Sequence, residues 1–246
     1  MEVALRTEKR AACFAFWLVT ALGAQPLEFA VRHDHRWRDR PGILRIAPEG
    51  ISYQEASAKK PSQHRWSWAW HEIQQLYLSE DRLTILSYQD NLWQLGADRR
   101  YSFLRAGGPP FSRAYPLLRQ QMDQRLVVAL ADDSQPCLWE VPVKLQGRLR
   151  GSHGVLRVSE DTIVYRSDRR GQSRTWRYTD IDNLTSSGPF ELTIVTFERS
   201  LWHYGGRRLF QFQLKQPLDP ERYNELWLRW QQRAKGLRLL GRAVGP

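Results

Sequence analysis

Six basic side chains stand out by type and spacing: Arg32, Arg36 and Arg38 near the start, and Lys144, Arg148 and Arg150 in the same pattern 112 residues later. Residues two apart on an extended segment point the same way. Arg36 with Arg38, or Arg148 with Arg150, can therefore bring two guanidiniums onto one phosphate or carboxylate. A solvated basic face has the same pattern, and the sequence leaves both readings open. His33-Asp34-His35 puts two imidazoles on one side of a strand, as a metal site would. No third ligand is identifiable, because His64, His71, His153 and His203 are scattered, so structural or exposed histidines are expected and no metal. Catalysis finds no footing either. The chain has no G-x-S-x-G elbow, no P-loop, no H-E-x-x-H and no dinucleotide fingerprint, and none of its carboxylate pairs is marked by spacing. Neither a catalytic residue nor a cofactor is expected.

The charge balance agrees with an anionic partner. Among 246 residues the formal net charge is +11. Arg6, Lys9 and Arg10 precede an apolar run over 11–24 ending in Ala-Leu-Gly-Ala-Gln-Pro, the layout of a secretory signal peptide with cleavage after Gly23 or Ala24. The run is short for a bilayer span, which leaves a retained N-terminal anchor as the alternative. Loss of 1–24 takes away three basic and two acidic side chains, +1 in all, and leaves +10. Anionic lipid, nucleic acid and acidic polymers all suit such a chain. Export, and the burial expected of its aromatic residues, count against nucleic acid. After cleavage Cys137 is the only cysteine, which excludes an intrachain disulfide and a cysteine metal site.

The elements that must position the basic triplets are organised around 65–73, Arg-Trp-Ser-Trp-Ala-Trp-His-Glu-Ile. Trp66, Trp68 and Trp70 alternate, the period that puts them on one face of a strand. A degraded copy over 174–181 keeps Trp176 and Tyr178. The copying extends along the chain. Gly42-Ile43-Leu44-Arg45-Ile46 faces Gly154-Val155-Leu156-Arg157-Val158 and Tyr53 faces Tyr165 at an offset of 112; Trp68 faces Trp176 and Ile73 faces Ile181 at 108; Leu83-Thr84-Ile85 faces Leu192-Thr193-Ile194, Trp93 faces Trp202 and Phe103 faces Phe212 at 109. Offsets that drift by a few residues are what loops of unequal length produce.

Two domains of about 100 residues follow, over 28–131 and 138–236, with 132–137 as linker and 237–246 as a loose tail. Within the first, strands are expected at 43–47, 51–55, the tryptophan stretch, 74–78, 82–88, 91–95 and 100–104, with Pro48-Glu49-Gly50 as a tight hairpin. Ser186 to Pro189 reads as a turn between strands. Phe111, Tyr115, Leu118, Met122, Leu126 and Ala129 then recur at helical spacing, as do Tyr223, Leu226, Trp227, Trp230 and Ala234. Asp219 and Pro220 suit the start of the later helix, and Gly236 or Gly241 its end. Trp68, Trp70, Trp227 and Trp230 are expected in the core.

Six or seven short strands closed by one amphipathic helix resemble the pleckstrin-homology-like barrel. The sequence is similar to bacterial and GRAM-type members at Gly154 to Val158, Ile163-Val164-Tyr165, Trp176 to Ile181 and Leu192-Thr193-Ile194, and again at the equivalent stretches of the first half. The resemblance implies a mainly β fold with α: two tandem barrel or sandwich units, each sealed by its C-terminal helix. It also implies a basic cluster in the first hairpin as the ligand-holding element, here Arg32, Arg36, Arg38 and Lys144, Arg148, Arg150. An export signal followed by two such units resembles the layout of exported bacterial proteins. The expectation is a non-catalytic binding protein of the bacterial envelope, docking on an anionic lipid surface or an envelope protein. The rival expectation is a structural or peptide-binding scaffold using a strand edge or the groove between the units. A hydrolase would need a cleft with convergent polar groups.

Overall fold

Along most segments buried and exposed side chains alternate, as in Glu191–Arg199, where every second residue is buried. The computed structural model describes residues 25–34, 40–56, 65–90, 98–147, 150–199 and 206–236. Its strands in the first half are β1 (Leu27–His33), β2 (Arg40–Ala47), β3 (Gly50–Glu55), β4 (Arg65–Ala69), β5 (Ile73–Leu78), β6 (Arg82–Asp90) and β7 (Asp98–Arg105). Helix α1 (Tyr115–Gln121) and strand β8 (Leu126–Val128) follow. The second half contributes β9 (Cys137–Leu145), β10 (Ser152–Ser159), β11 (Thr162–Ser167), β12 (Arg174–Arg177), β13 (Ile181–Gly188), β14 (Glu191–Arg199), β15 (Arg207–Leu214) and helix α2 (Pro220–Lys235).

These strands form one open, mainly antiparallel sheet in the order β13-β14-β15-β9-β10-β11-β12-β8-β5-β6-β7-β1-β2-β3-β4. The order β5-β6-β7-β1-β2-β3-β4 on one side of β8 recurs as β13-β14-β15-β9-β10-β11-β12 on the other. β8 joins them, parallel to β5 at Leu76↔Leu126 and antiparallel to β12 at Thr175↔Val128. Two hydrophobic clusters result, one around Tyr53, Trp68 and Phe103 and one around Tyr165, Trp176 and Phe212.

The aromatic centres of the two clusters are built alike. Tyr53 and Phe103 rings lie 5.1 Å apart, as do Tyr165 and Phe212. Trp68 meets Tyr101 edge-on at 4.7 Å, and Trp176 meets Phe210 edge-on at 4.8 Å. Removing a phenylalanine from water is worth about 1.5–3 kcal/mol, and each edge-on ring pair adds about 0.5–1.5 kcal/mol. Gly42 and Gly154 owe their matched positions to the same arrangement. A Cβ on Gly154 would lie 2.1 Å from Arg166 O and 2.8 Å from the Tyr165 ring; on Gly42 it would lie 2.4 Å from Gln54 O and 2.5 Å from the Tyr53 ring. The facing strand and the tyrosine occupy the space a side chain would need. Gly154→Ala is therefore expected to cost about 1–3 kcal/mol through overpacking. Thermal unfolding followed by circular dichroism checks this, and an unchanged midpoint would count against it.

Both halves also repeat a short 3-10 turn between the fourth and fifth strands, Trp70–Glu72 and Tyr178–Asp180. In each, the last residue's carboxylate accepts from the backbone three residues earlier: Ala69 N donates to Glu72 Oε2 at 2.8 Å, and Arg177 N to Asp180 Oδ2 at 2.9 Å. Trp70 thus starts a turn rather than continuing the strand. Trp68 is buried, while Trp66 and Trp70 are half-buried and pack on the same core. Trp70 Nε1 donates to Pro48 O at 2.7 Å, beside the Pro48-Glu49 turn that links β2 and β3.

Three expectations need correction. The periodic stretch 111–129 is not one helix: Phe111–Ala114 is a 3-10 turn, α1 ends at Gln121, and 126–128 is strand. Asp123 stops the helix, since its carboxylate accepts from Arg125 N at 2.9 Å and its carbonyl from Leu126 N at 3.0 Å. Beyond it Val127-Val128 favour a strand. The apolar positions remain buried because both elements face the same core. Second, Trp227 is 37% exposed. Leu226 and Trp230 are one turn apart and face the sheet, and Trp227 lies a third of a turn around. Third, Ser186 to Gly188 remain in β13, and the turn comes at Pro189-Phe190; Ser186 Oγ lies 2.8 Å from both Gly188 O and Glu191 O, which share its one hydroxyl proton.

Helix α2 starts and stops as expected. Asp219 Oδ1 accepts from Glu221 N at 2.9 Å, Pro220 opens the first turn, and Gly236 at φ 66° closes the last. Trp230 Nε1 donates to Ile181 O at 3.1 Å and fixes the helix against β13. The segment 132–136 is anchored at one end, since Asp132 N donates to Thr175 Oγ1 at 2.9 Å and that hydroxyl donates to Leu130 O at 2.9 Å. Cys137 lies in β9 as a free, half-buried thiol. The signal segment 1–24, the 91–95 strand and the tail 237–246 lie outside the described residues.

Candidate functional site

Of the six basic positions, Arg32, Lys144 and Arg150 fall within the described residues; Arg36, Arg38 and Arg148 lie outside them. Arg32 is exposed on β1, opposite Pro41 of β2 and Leu104 of β7. Lys144 occupies the matching place on β9, opposite His153 of β10 and Gln213 of β15. Arg150 lies just before β10, exposed, and enters a cleft of about 680 Å³ between the two halves. Of Lys144 and Arg150 only Arg150 lines the cleft, while Lys144 Cε lies 3.2 Å from where a Cβ on Gly151, the residue after Arg150, would stand.

A groove between the halves was among the expectations; which residues line it the sequence did not disclose. One wall is the outward face of β5, β6 and β7; the other comes from the β9–β10 and β11–β12 connections and from β14 and β15. Among the described residues six arginines line it, Arg82, Arg100, Arg150, Arg174, Arg199 and Arg208, against the single carboxylate of Glu198. Three of them are committed to ion pairs. Arg174 Nε and Arg208 Nη1 each lie 3.2 Å from Glu198, and Arg199 Nη1 lies 2.9 Å from Asp98. Arg82, Arg100 and Arg150 meet no carboxylate among the described residues. Two unmatched guanidiniums come from one half and one from the other. Their potential adds in a concave space with low-dielectric walls.

Polar contacts also join the two halves. Arg199 bonds to Gln74 as well as Asp98, and Arg170 bonds to Asp81. Arg177 Nη1 donates to Met122 O at 3.1 Å and Nη2 to Asp123 O at 2.6 Å. The hydrogen bond from Arg105 holds the Asp81 carboxyl below the usual carboxylate range against its own desolvation, and Arg170 from the other half lowers it further. Burial pushes Asp180 up, and the hydrogen bonds of Arg177 oppose it. Arg174 sits where the first half has Trp66: Tyr53 faces Trp66 across one strand pair and Tyr165 faces Arg174 across the other. A cation in place of an indole needs a carboxylate, and Glu198 supplies it.

His33 is buried among the rings of Tyr53, Trp66, Tyr101 and Phe103, with centroids 4.9–6.4 Å away. That setting makes it part of the core; His35 lies outside the described residues. Among the described residues no group of His, Cys, Asp or Glu could hold a metal ion.

No family model matches this chain, and no curated protein does. Solved structures match in part. The C-terminal domain of an unknown protein from Leishmania infantum is 13% identical, with 49% of this chain and 94% of that chain covered and a TM-score of 0.31. The Spt16D Pob3N heterodimer is 12% identical, with 71% and 84% covered and a TM-score of 0.29. The DH/PH domains of p115-RhoGEF are 7% identical, with 43% and 32% covered and a TM-score of 0.28. Nothing about function transfers from these matches.

Proposed function

We propose that this chain is a non-catalytic binding protein of the bacterial envelope, made of two tandem pleckstrin-homology-like units over 28–131 and 138–236, that docks on an anionic surface through its basic strand and loop clusters. The repeated strand order supports the two-unit reading. The single observation that carries the docking role is that Lys144 and Arg150, from one predicted cluster, are both exposed and meet no carboxylate among the described residues. On a chain of formal charge +11 such groups add to a field that attracts anions. No helix among the described residues is long and apolar enough to cross a membrane.

Lipid vesicle sedimentation over a salt series is the test. Each Lys or Arg near an anionic surface contributes about 1 kcal/mol, so replacing Lys144, Arg148 and Arg150 together by Ala is expected to weaken binding roughly a hundredfold, and salt to weaken the wild type steeply. Equal binding to neutral and anionic vesicles, or none at low salt, would overturn the proposal.

β13 ends the sheet among the described residues, and that edge favours the second reading, a peptide-binding scaffold. Residues 182–188, Asp-Asn-Leu-Thr-Ser-Ser-Gly, carry no Lys or Pro that would discourage pairing with another strand. Under that reading the same alanine replacements leave partner capture intact.

A further inference from the structure

We infer that the cleft between the halves binds a compact, elongated polyanion of small-molecule size, a phosphate-bearing ligand gripped by arginines from both halves. The inference rests on the reading of the chain as an anion-binding protein and gives one of its basic residues, Arg150, a separate site. Volume comes first. About 680 Å³ lies within the roughly 300–1,000 Å³ typical of small-ligand sites.

The floor gives the shape. On the outward face of β6 and β7, Arg82 stands opposite Leu104, Thr84 opposite Ser102, and Arg100 opposite Leu86. Arg82 and Arg100 are thus offset by four residues along the strands, roughly 14 Å at the ordinary rise per residue. Between them Thr84 Oγ1 and Ser102 Oγ lie 3.2 Å apart, a pair of hydroxyls on the floor. Cation, hydroxyl pair, cation is a linear array. It matches an anion whose charges are spread along its length and whose middle accepts hydrogen bonds. Arg150 enters from the opposite wall. A guanidinium grips phosphate oxygens in paired, charge-assisted bonds, and none of these three is spent on a carboxylate among the described residues. A ligand so held touches both halves and favours their observed juxtaposition over any looser one.

Inorganic tripolyphosphate is the probe, titrated by calorimetry into the full chain at low salt, beside sedimentation with phosphatidylglycerol vesicles. The expected result is saturable tripolyphosphate binding that weakens roughly tenfold or more in each of Arg82→Ala, Arg100→Ala and Arg150→Ala. Arg222→Ala, an exposed site on α2 that does not line the cleft, should leave it unchanged. All four positions are exposed, so folding is retained, and a thermal midpoint for each variant confirms it. No binding by the wild type, or equal losses in all four variants, overturns the cleft site. Vesicle binding that persists without tripolyphosphate uptake overturns the cleft and leaves surface docking standing. Cleft-dependent uptake without vesicle binding upholds the cleft and overturns surface docking.

Discussion

Glu198→Ala is expected to lower folding stability by about 3–5 kcal/mol, the loss found when one partner of a buried ion pair is removed and the other charge is left uncompensated. Glu198 is 6% exposed and Arg174 4%. Arg174 Nε donates to Glu198 Oε1 at 3.2 Å, Nη1 donates to Ser173 O at 2.8 Å, and the guanidinium lies 5.6 Å from the ring centre of Tyr77 in the other half. Glu198 Oε2 faces Arg208 Nη1 at 3.2 Å without hydrogen-bond alignment, so Arg208 answers its charge but not its lone pairs. Without Glu198, two arginines face each other at the join between the halves. Urea denaturation followed by tryptophan fluorescence measures the loss. In the double variant Arg174→Met with Glu198→Leu the charge and its need for a partner disappear together, and most of the stability should return. A single variant within 1 kcal/mol of the wild type, or a double variant no better than the single, would show that the pair is hydrated and carries little.

Phe212→Ala should cost about 3–5 kcal/mol, and Phe103→Ala as much. Both rings are fully buried, and each lies 5.1 Å from its own tyrosine and 6.2–6.4 Å from its own tryptophan. In each half the ring is held by strands on both sides, because β7 pairs with β6 and β1, and β15 with β14 and β9. Such a site cannot collapse around the lost volume. If the halves unfold as one unit through β8 and the arginine contacts, either substitution lowers one shared transition. If they unfold separately, each lowers only its own. Denaturation curves of the two variants distinguish these outcomes, and a cost below about 1 kcal/mol for either would contradict the packing described.

The residues that carry these two predictions differ in how they could be seen. Phe103 and Phe212 were legible as a matched pair at one offset, beside Tyr53 and Tyr165, because each sits in an alternating strand whose period is written locally. Gly42 and Gly154 were legible as a repeated position, though not their reason, which is a tyrosine ring and a facing carbonyl from the next strand. Asp219 declared the start of α2 and left Gly236 or Gly241 for its end, of which the structure uses Gly236. By contrast, helical spacing over 111–129 described which residues are buried but not by what element. An apolar residue every three or four positions serves a helix followed by a strand when both face one core.

The sequence by itself therefore determined the alternating strands, the doubled order of motifs, the basic triplets and the caps, all of which depend on neighbours close along the chain. Only the tertiary structure decided that β8 would pair with strands of both halves and that Arg174 would find Glu198. It also decided that Arg82 and Arg100 would share a cleft with Arg150, 50 or more residues away. An arginine carries no mark of the carboxylate it will meet or of the cation it will stand beside. That is set by which strand edges pair and how loops of unequal length bring the halves together, and charge attraction across tens of residues has no period for a sequence to display.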